Sequence, residues 1–97
     1  MNKIYLSGKI IRPPIILFQG RSRLHVVFRM QPEIEKSQTG LPIHAWDDMA
    51  EWCMHNLKTG QFVVLHGHLA QRMIRIKSQC FCLPYVEADE FFGQHFL

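Results

Sequence analysis

Apolar residues recur at every second position along most of this chain, the signature of half-buried strands. Ile4, Leu6, Gly8 and Ile10 alternate with Tyr5, Ser7 and Lys9. Pro13-Pro14 then calls for an edge, a bulge or a bend, because proline donates no ladder hydrogen bond. Ile15 to Phe18 is apolar on both parities, so this strand can continue into a subunit contact, and Gln19 to Ser22 reads as its turn. Leu24, Val26, Phe28 and Met30 form a second inward row, with Arg23, His25, Val27 and Arg29 facing out. A loop is expected from Gln31 to Gly40. Leu41, Ile43 and Ala45 form a third inward row, leaving Pro42, His44 and Trp46 outward.

There the period changes. Met49, Trp52, Cys53 and Leu57 share a helical face, Asp47 or Asp48 can cap its start, and Thr59-Gly60 closes it. From Phe62 the alternation returns. Val63, Leu65 and Leu69, with Gly67 between, are assigned to the interior; Phe62, Val64, His66, His68, Ala70 and Arg72 point away from it. The strand is expected to reach Ile74, with a turn at Arg75 to Ser78. A last strand follows from Gln79 to Phe92, with Val86 and Ala88 inward and an irregularity at Pro84.

Length and composition bound the reading. The 97 residues suit one domain, residues 1–97, and 47% hydrophobic with 20% charged residues is a globular balance. The net charge is only +3, but residues 1–32 hold Lys3, Lys9, Arg12, Arg21, Arg23 and Arg29 with no acid. That asymmetry suits an anionic partner, or else a solvated basic face. Three cysteines, an odd number, argue against a disulfide framework and for a reducing compartment. With no long apolar run at the N-terminus and none near the ~18 residues of a membrane span, a cytoplasmic protein without membrane contact is expected.

Three strands, one short helix and two strands form the order of the OB-fold. An all-β, five-stranded Greek-key barrel with one short helix between strands 3 and 4 is therefore expected. The sequence resembles the bacterial single-stranded DNA-binding protein family and its primosomal PriB-like relatives. The resemblance runs through Asn2-Lys3-Ile4-Tyr5-Leu6-Ser7-Gly8, Pro14, Met49-Ala50-Glu51 and Leu57-Lys58-Thr59-Gly60, then Val63 to Leu69 and Tyr85 to Phe91. It implies non-sequence-specific binding of single-stranded DNA in replication, recombination or repair, and a homodimer or homotetramer built partly through the first strand. Position places Trp46 at one of the family's base-stacking aromatics. The sequence departs from the family in its second strand, which lacks the aromatic, and in a short hairpin with Met73 and Ile74 where a tryptophan-bearing arm is usual. No long acidic tail follows Phe92, so a bare OB core of the PriB-like kind is expected. The alternative is a PriB-like adaptor that acts mainly through protein contacts with replication or recombination proteins.

Binding a single strand needs cations for phosphates and rings for bases. The outward rows offer Arg23, His25 and Arg29, then His44 and Trp46, then Phe62, His66, His68 and Arg72. Trp46 can instead cover a core edge. His66, His68, Cys80 and Cys82 are residues that zinc accepts, but each pair spreads roughly 6–7 Å along its strand. Apolar packing for the cysteines and surface roles for the histidines are favoured, and no metal or cofactor is assigned. Cys53 and His55 are too close in sequence to face each other, and no glycine-rich phosphate loop occurs, so an enzyme is not expected. Phe91, Phe92, Phe96 and Leu97 add apolar surface that self-association or folding back onto the barrel can cover.

Overall fold

The computed structural model describes residues 2–33 and 39–92. Its elements are β1 (Ile4–Gln19), β2 (Leu24–Pro32), β3 (Leu41–Trp46), α1 (Asp47–Asn56), β4 (Phe62–Ile76) and β5 (Gln79–Phe92). They close a barrel in the order β1-β2-β3-β5-β4, antiparallel throughout except where β3 meets β5. This is the five-stranded OB barrel with its helix between strands 3 and 4.

The inward rows behave as their alternation predicts. Ile10, Val26, Phe28, Met30, Ile43, Ala45 and Leu65 are all essentially inaccessible, and α1 closes one end of the core with Ala50, Cys53 and Leu57. Gly67 has a closure role that periodicity does not reveal. A Cβ there would lie 2.1 Å from the Glu87 carbonyl oxygen, so only glycine lets β5 cross β4 at the bulge between His66 and Gly67. Gly8 does the same for β1 against Gln31 of β2, again at 2.1 Å.

Several local expectations change. Leu69, assigned to the interior, is 45% exposed, because β4 and β5 leave the barrel as a long paired arm. The arm is longer than expected: pairing continues to Ile76–Gln79, and its turn is only Lys77-Ser78, both at positive φ as a two-residue mirror-image turn requires. Pro84 pairs with Gln71 without a register shift, as a strand with one neighbour permits. Gln31 and Pro32 belong to β2, not to the following loop, whose residues 34–38 lie outside the described residues. No aspartate caps α1: extended Trp46 holds the N-cap position, and Asp47, at φ 54°, turns the chain. The helix ends on extended Leu57, so Gly60 (φ 95°) serves the turn into β4 instead of a helix cap. The Pro13-Pro14 bulge occurs as expected, and β1 runs on through exposed Ile15, Ile16, Leu17 and Phe18. Phe96 and Leu97 lie outside the described residues.

Candidate nucleic-acid interface

The outward rows of β2 and β3 and the root of the β4–β5 arm enclose a cleft of about 520 Å³, lined by His25, His44, Trp46, Arg72, Ile74, Leu83, Pro84 and Tyr85. Cross-strand register builds it. His25 stands directly opposite Trp46, and the two rings stack at 3.9 Å between centroids and 5° between planes. His25 Nε2 and His44 Nδ1 share one proton in a 2.8 Å hydrogen bond, and the His44 ring meets Tyr85 edge-on at 4.7 Å. The Arg23 guanidinium lies 4.7 Å from the Trp46 ring centroid. Four rings thus form a continuous ladder, with Arg23 at one end and Arg72 in the cleft.

Glu87 holds this ladder from β5. Its Oε2 accepts from Trp46 Nε1 at 2.8 Å and from the Tyr85 hydroxyl at 3.1 Å. Its Oε1 lies 2.9 Å from His68 Nε2, whose other ring nitrogen is 2.8 Å from Asp89 Oδ2. One carboxylate therefore fixes two rings and a histidine. Asp47 performs a similar task at the corner: its Oδ1 accepts from the Leu24 backbone N–H and from Arg23 Nε, both at 3.1 Å.

Charge states follow from these surroundings. Burial lowers the pKa of both His25 and His44 below 6.5 despite the pull of Glu87, with His25 itself pushing His44 further down. At neutral pH they are rings and hydrogen-bonding groups, not cations. Asp89, through its hydrogen bond, raises the pKa of His68 above 6.5, and Glu87 adds to the effect. The Leu24 N–H, then Arg23, lowers the pKa of Asp47, so it stays ionised.

The other candidate residues lie elsewhere. Arg29 donates to the Thr39 and Gly40 carbonyls at 3.0 and 3.1 Å and borders a second depression. His66 packs against Tyr5 and Phe92 and approaches Glu90 Oε1 at 2.9 Å. Phe62 is exposed on the same strand, four residues before His66. His68 sits behind Glu87 instead of in the cleft. The two cysteines of the arm, Cys80 and Cys82, are remote: Cys82 pairs with Met73, five residues along β4 from His68, or about 17 Å. Glu87 and Asp89 approach opposite nitrogens of His68, so they do not converge on one point, and among the described residues no group of His, Cys, Asp and Glu could hold a metal ion. Tyr85 and Glu87 are the residues that pattern reading misses. Their signal was the acid-rich stretch after Pro84, whose outward parity places Tyr85, Glu87 and Asp89 on one face.

The architecture defines a class by fold: the closed five-stranded OB barrel with one helix between its third and fourth strands. No family model and no curated protein matches the sequence. Among solved structures, the chain superimposes on the SSB domain of a Synechococcus protein with a TM-score of 0.69 at 14% identity, covering 94% of this chain and 93% of that one. The wild-type single-stranded DNA binding protein from Thermus aquaticus gives 0.71 at 21% identity, covering 94% of this chain and 39% of that one. A deletion mutant of the same protein gives 0.71 at 22%, with 94% and 40% covered. The chain thus spans nearly all of the Synechococcus domain and about two fifths of the Thermus protein.

Proposed function

We propose that the chain is a non-sequence-specific single-stranded DNA-binding module that serves replication, recombination or repair in the cytoplasm and binds without catalysing a reaction. The observation that carries this reading is the ladder of Trp46, His25, His44 and Tyr85 in one cleft, flanked by Arg23 and Arg72. Neutral stacked rings suit bases of any sequence, and the arginines suit phosphates. The likeness in fold to the single-stranded DNA binding protein from Thermus aquaticus supports it. Titration with oligothymidine at low and high salt, read by tryptophan fluorescence, tests it. Trp46 should quench and Trp52, packed on Phe91 at 4.8 Å, should supply an unresponsive background. No quenching at low salt by the wild type, or equal quenching in Trp46→Phe, defeats the proposal.

We further infer a homodimer or homotetramer. Exposed Tyr5, Phe62 and Phe92 share the β1–β4–β5 side, and Ile15 to Phe18 extend along β1, more apolar surface than a lone barrel ordinarily shows. The same surface favours the second reading, an adaptor that docks on replication or recombination proteins. Light scattering at micromolar concentration separates them: a monomer with a discrete co-purifying partner supports the adaptor.

A further inference from the structure

Arg12 stands directly opposite Arg29 on the outward face of β1 and β2, and the register slips on both sides of Arg12. Directly opposed like charges are unfavourable in a sheet. The Pro13-Pro14 bulge opens a depression of about 260 Å³ at this point, with Val27, Phe28 and Pro42 across it and Pro13 and Ile15 beside it. Among the described residues neither arginine forms an ion pair. Arg29 is nevertheless held in place, because one terminal nitrogen donates to the Thr39 and Gly40 carbonyls. A guanidinium carries five N–H donors, so this anchoring leaves others for an anion. An apolar floor beside two cations matches one nucleotide: the base lies on the floor and the phosphate meets the guanidinium groups.

The depression also continues the cleft. Val27, on its rim, is the cross-strand partner of His44, on the rim of the cleft, and of Ile15 on β1, so a strand leaving Tyr85 and His44 over β3 crosses β2 at Val27 and reaches β1 at Ile15, beside Arg12 in the same depression. We propose that the depression between Arg12 and Arg29 is a second nucleotide subsite, which takes the next stretch of a single strand as it leaves the aromatic cleft. This rests on the single-strand reading above, and it adds Arg12, a residue outside the ladder.

Oligothymidines stepped from about 4 to about 16 nucleotides, the span of site sizes for one such barrel, distinguish the subsite from general attraction. Dissociation constants are read by anisotropy of the labelled oligomers for wild type, Arg12→Ala and Arg12→Lys. The shortest oligomers fill the cleft alone and should bind Arg12→Ala as they bind wild type. Longer ones should bind it about fivefold more weakly, as expected for one exposed charge pair. Their log–log salt slope should fall by about 0.7, one single-strand phosphate contact. Lysine keeps the charge and should restore the slope. Arg12→Ala curves that coincide with wild type at every length overturn the subsite while leaving the cleft intact, as does a loss equal at every length. A change of mass in light scattering on Arg12→Ala overturns it in favour of contact between copies. If wild type binds no oligomer at all, both the subsite and the single-strand reading fall.

Discussion

Replacing Glu87 by glutamine tests whether this carboxylate organises the face. The exchange keeps the shape and one acceptor oxygen, which can still serve Trp46 and Tyr85, but it removes the charge opposite His68. Hydrogen bonds to charged groups contribute about 1.5–3 kcal/mol and neutral ones about 0.5–1.5. The His68 side chain is 35% exposed and that of Glu87 18%, so solvent screens part of the difference. The exchange should therefore cost about 1–2 kcal/mol where His68 is protonated. His68 has its folded pKa raised above 6.5, so its contribution is fully present below 6.5 and is lost as the pH rises through the folded value. The gap between wild type and Glu87→Gln should accordingly be widest below 6.5 and narrow as the solution becomes alkaline. Glu87 also raises the pKa of His25 and His44 against the burial that lowers them, so its loss widens the acid gap further. Urea unfolding followed by far-ultraviolet circular dichroism at a series of pH values measures this. A gap independent of pH, or one growing with alkalinity, would refute the bridging role.

Gly67→Ala forces a Cβ against the Glu87 carbonyl at a strand crossing and should destabilise by about 3 kcal/mol in the same assay; a variant within about 0.5 kcal/mol of wild type would remove the closure argument. Trp46→Ala should weaken oligothymidine binding by about 1–3 kcal/mol, one stacked base, while leaving urea unfolding cooperative; unchanged affinity would take Trp46 out of the interface. Burial pushes the Cys53 thiol up to about 12, whereas Cys80 and Cys82 are exposed. A disulfide reagent at neutral pH should titrate two thiols immediately and the third only on unfolding, and three fast thiols would contradict the packing.

What the sequence makes legible follows from strict local periodicity. The alternation of Leu24 to Met30 and of Leu41 to Ala45 identifies the inner rows of β2 and β3, because each inner side chain meets the core and each outer one does not. Leu69 breaks this rule for a reason outside its neighbourhood: the barrel ends there, and alternation cannot say where a strand parts from the core. The arm's turn is hidden in the same way, since Lys77 and Ser78 adopt positive φ without a glycine to announce it. In the cleft, Trp46, His25, His44 and Arg72 are recoverable by parity, but their joining depends on β3 lying parallel to β5, a pairing between segments 43 residues apart. That parallel contact, Ile43 with Val86 and His44 with Glu87, brings Tyr85 and Glu87 into the site.

A carboxylate at the centre of a face proposed to meet phosphates looks misplaced, yet the geometry gives it a use. Trp46 and Tyr85 each spend their single polar hydrogen on Glu87, so neither N–H nor O–H competes for a base edge, and both rings interact through their planes and rims. Sequence-independent binding needs that, because a donor aimed into the cleft would discriminate between bases. The charge itself is compensated from behind by His68, which its hydrogen bond to Asp89 biases toward the protonated form. With His68 set between Glu87 and Asp89, and Asp47 answered by Arg23, Arg72 is the cation that the cleft lining leaves for a strand. With Asp89 counted, the charges around the cleft balance while His68 is protonated, and the face becomes more negative as His68 deprotonates. Affinity for oligothymidine should fall as the pH rises through the folded pKa of His68, and His68→Ala should abolish that dependence; a wild-type affinity that stays flat across the same range would separate Glu87's structural role from the electrostatics of binding.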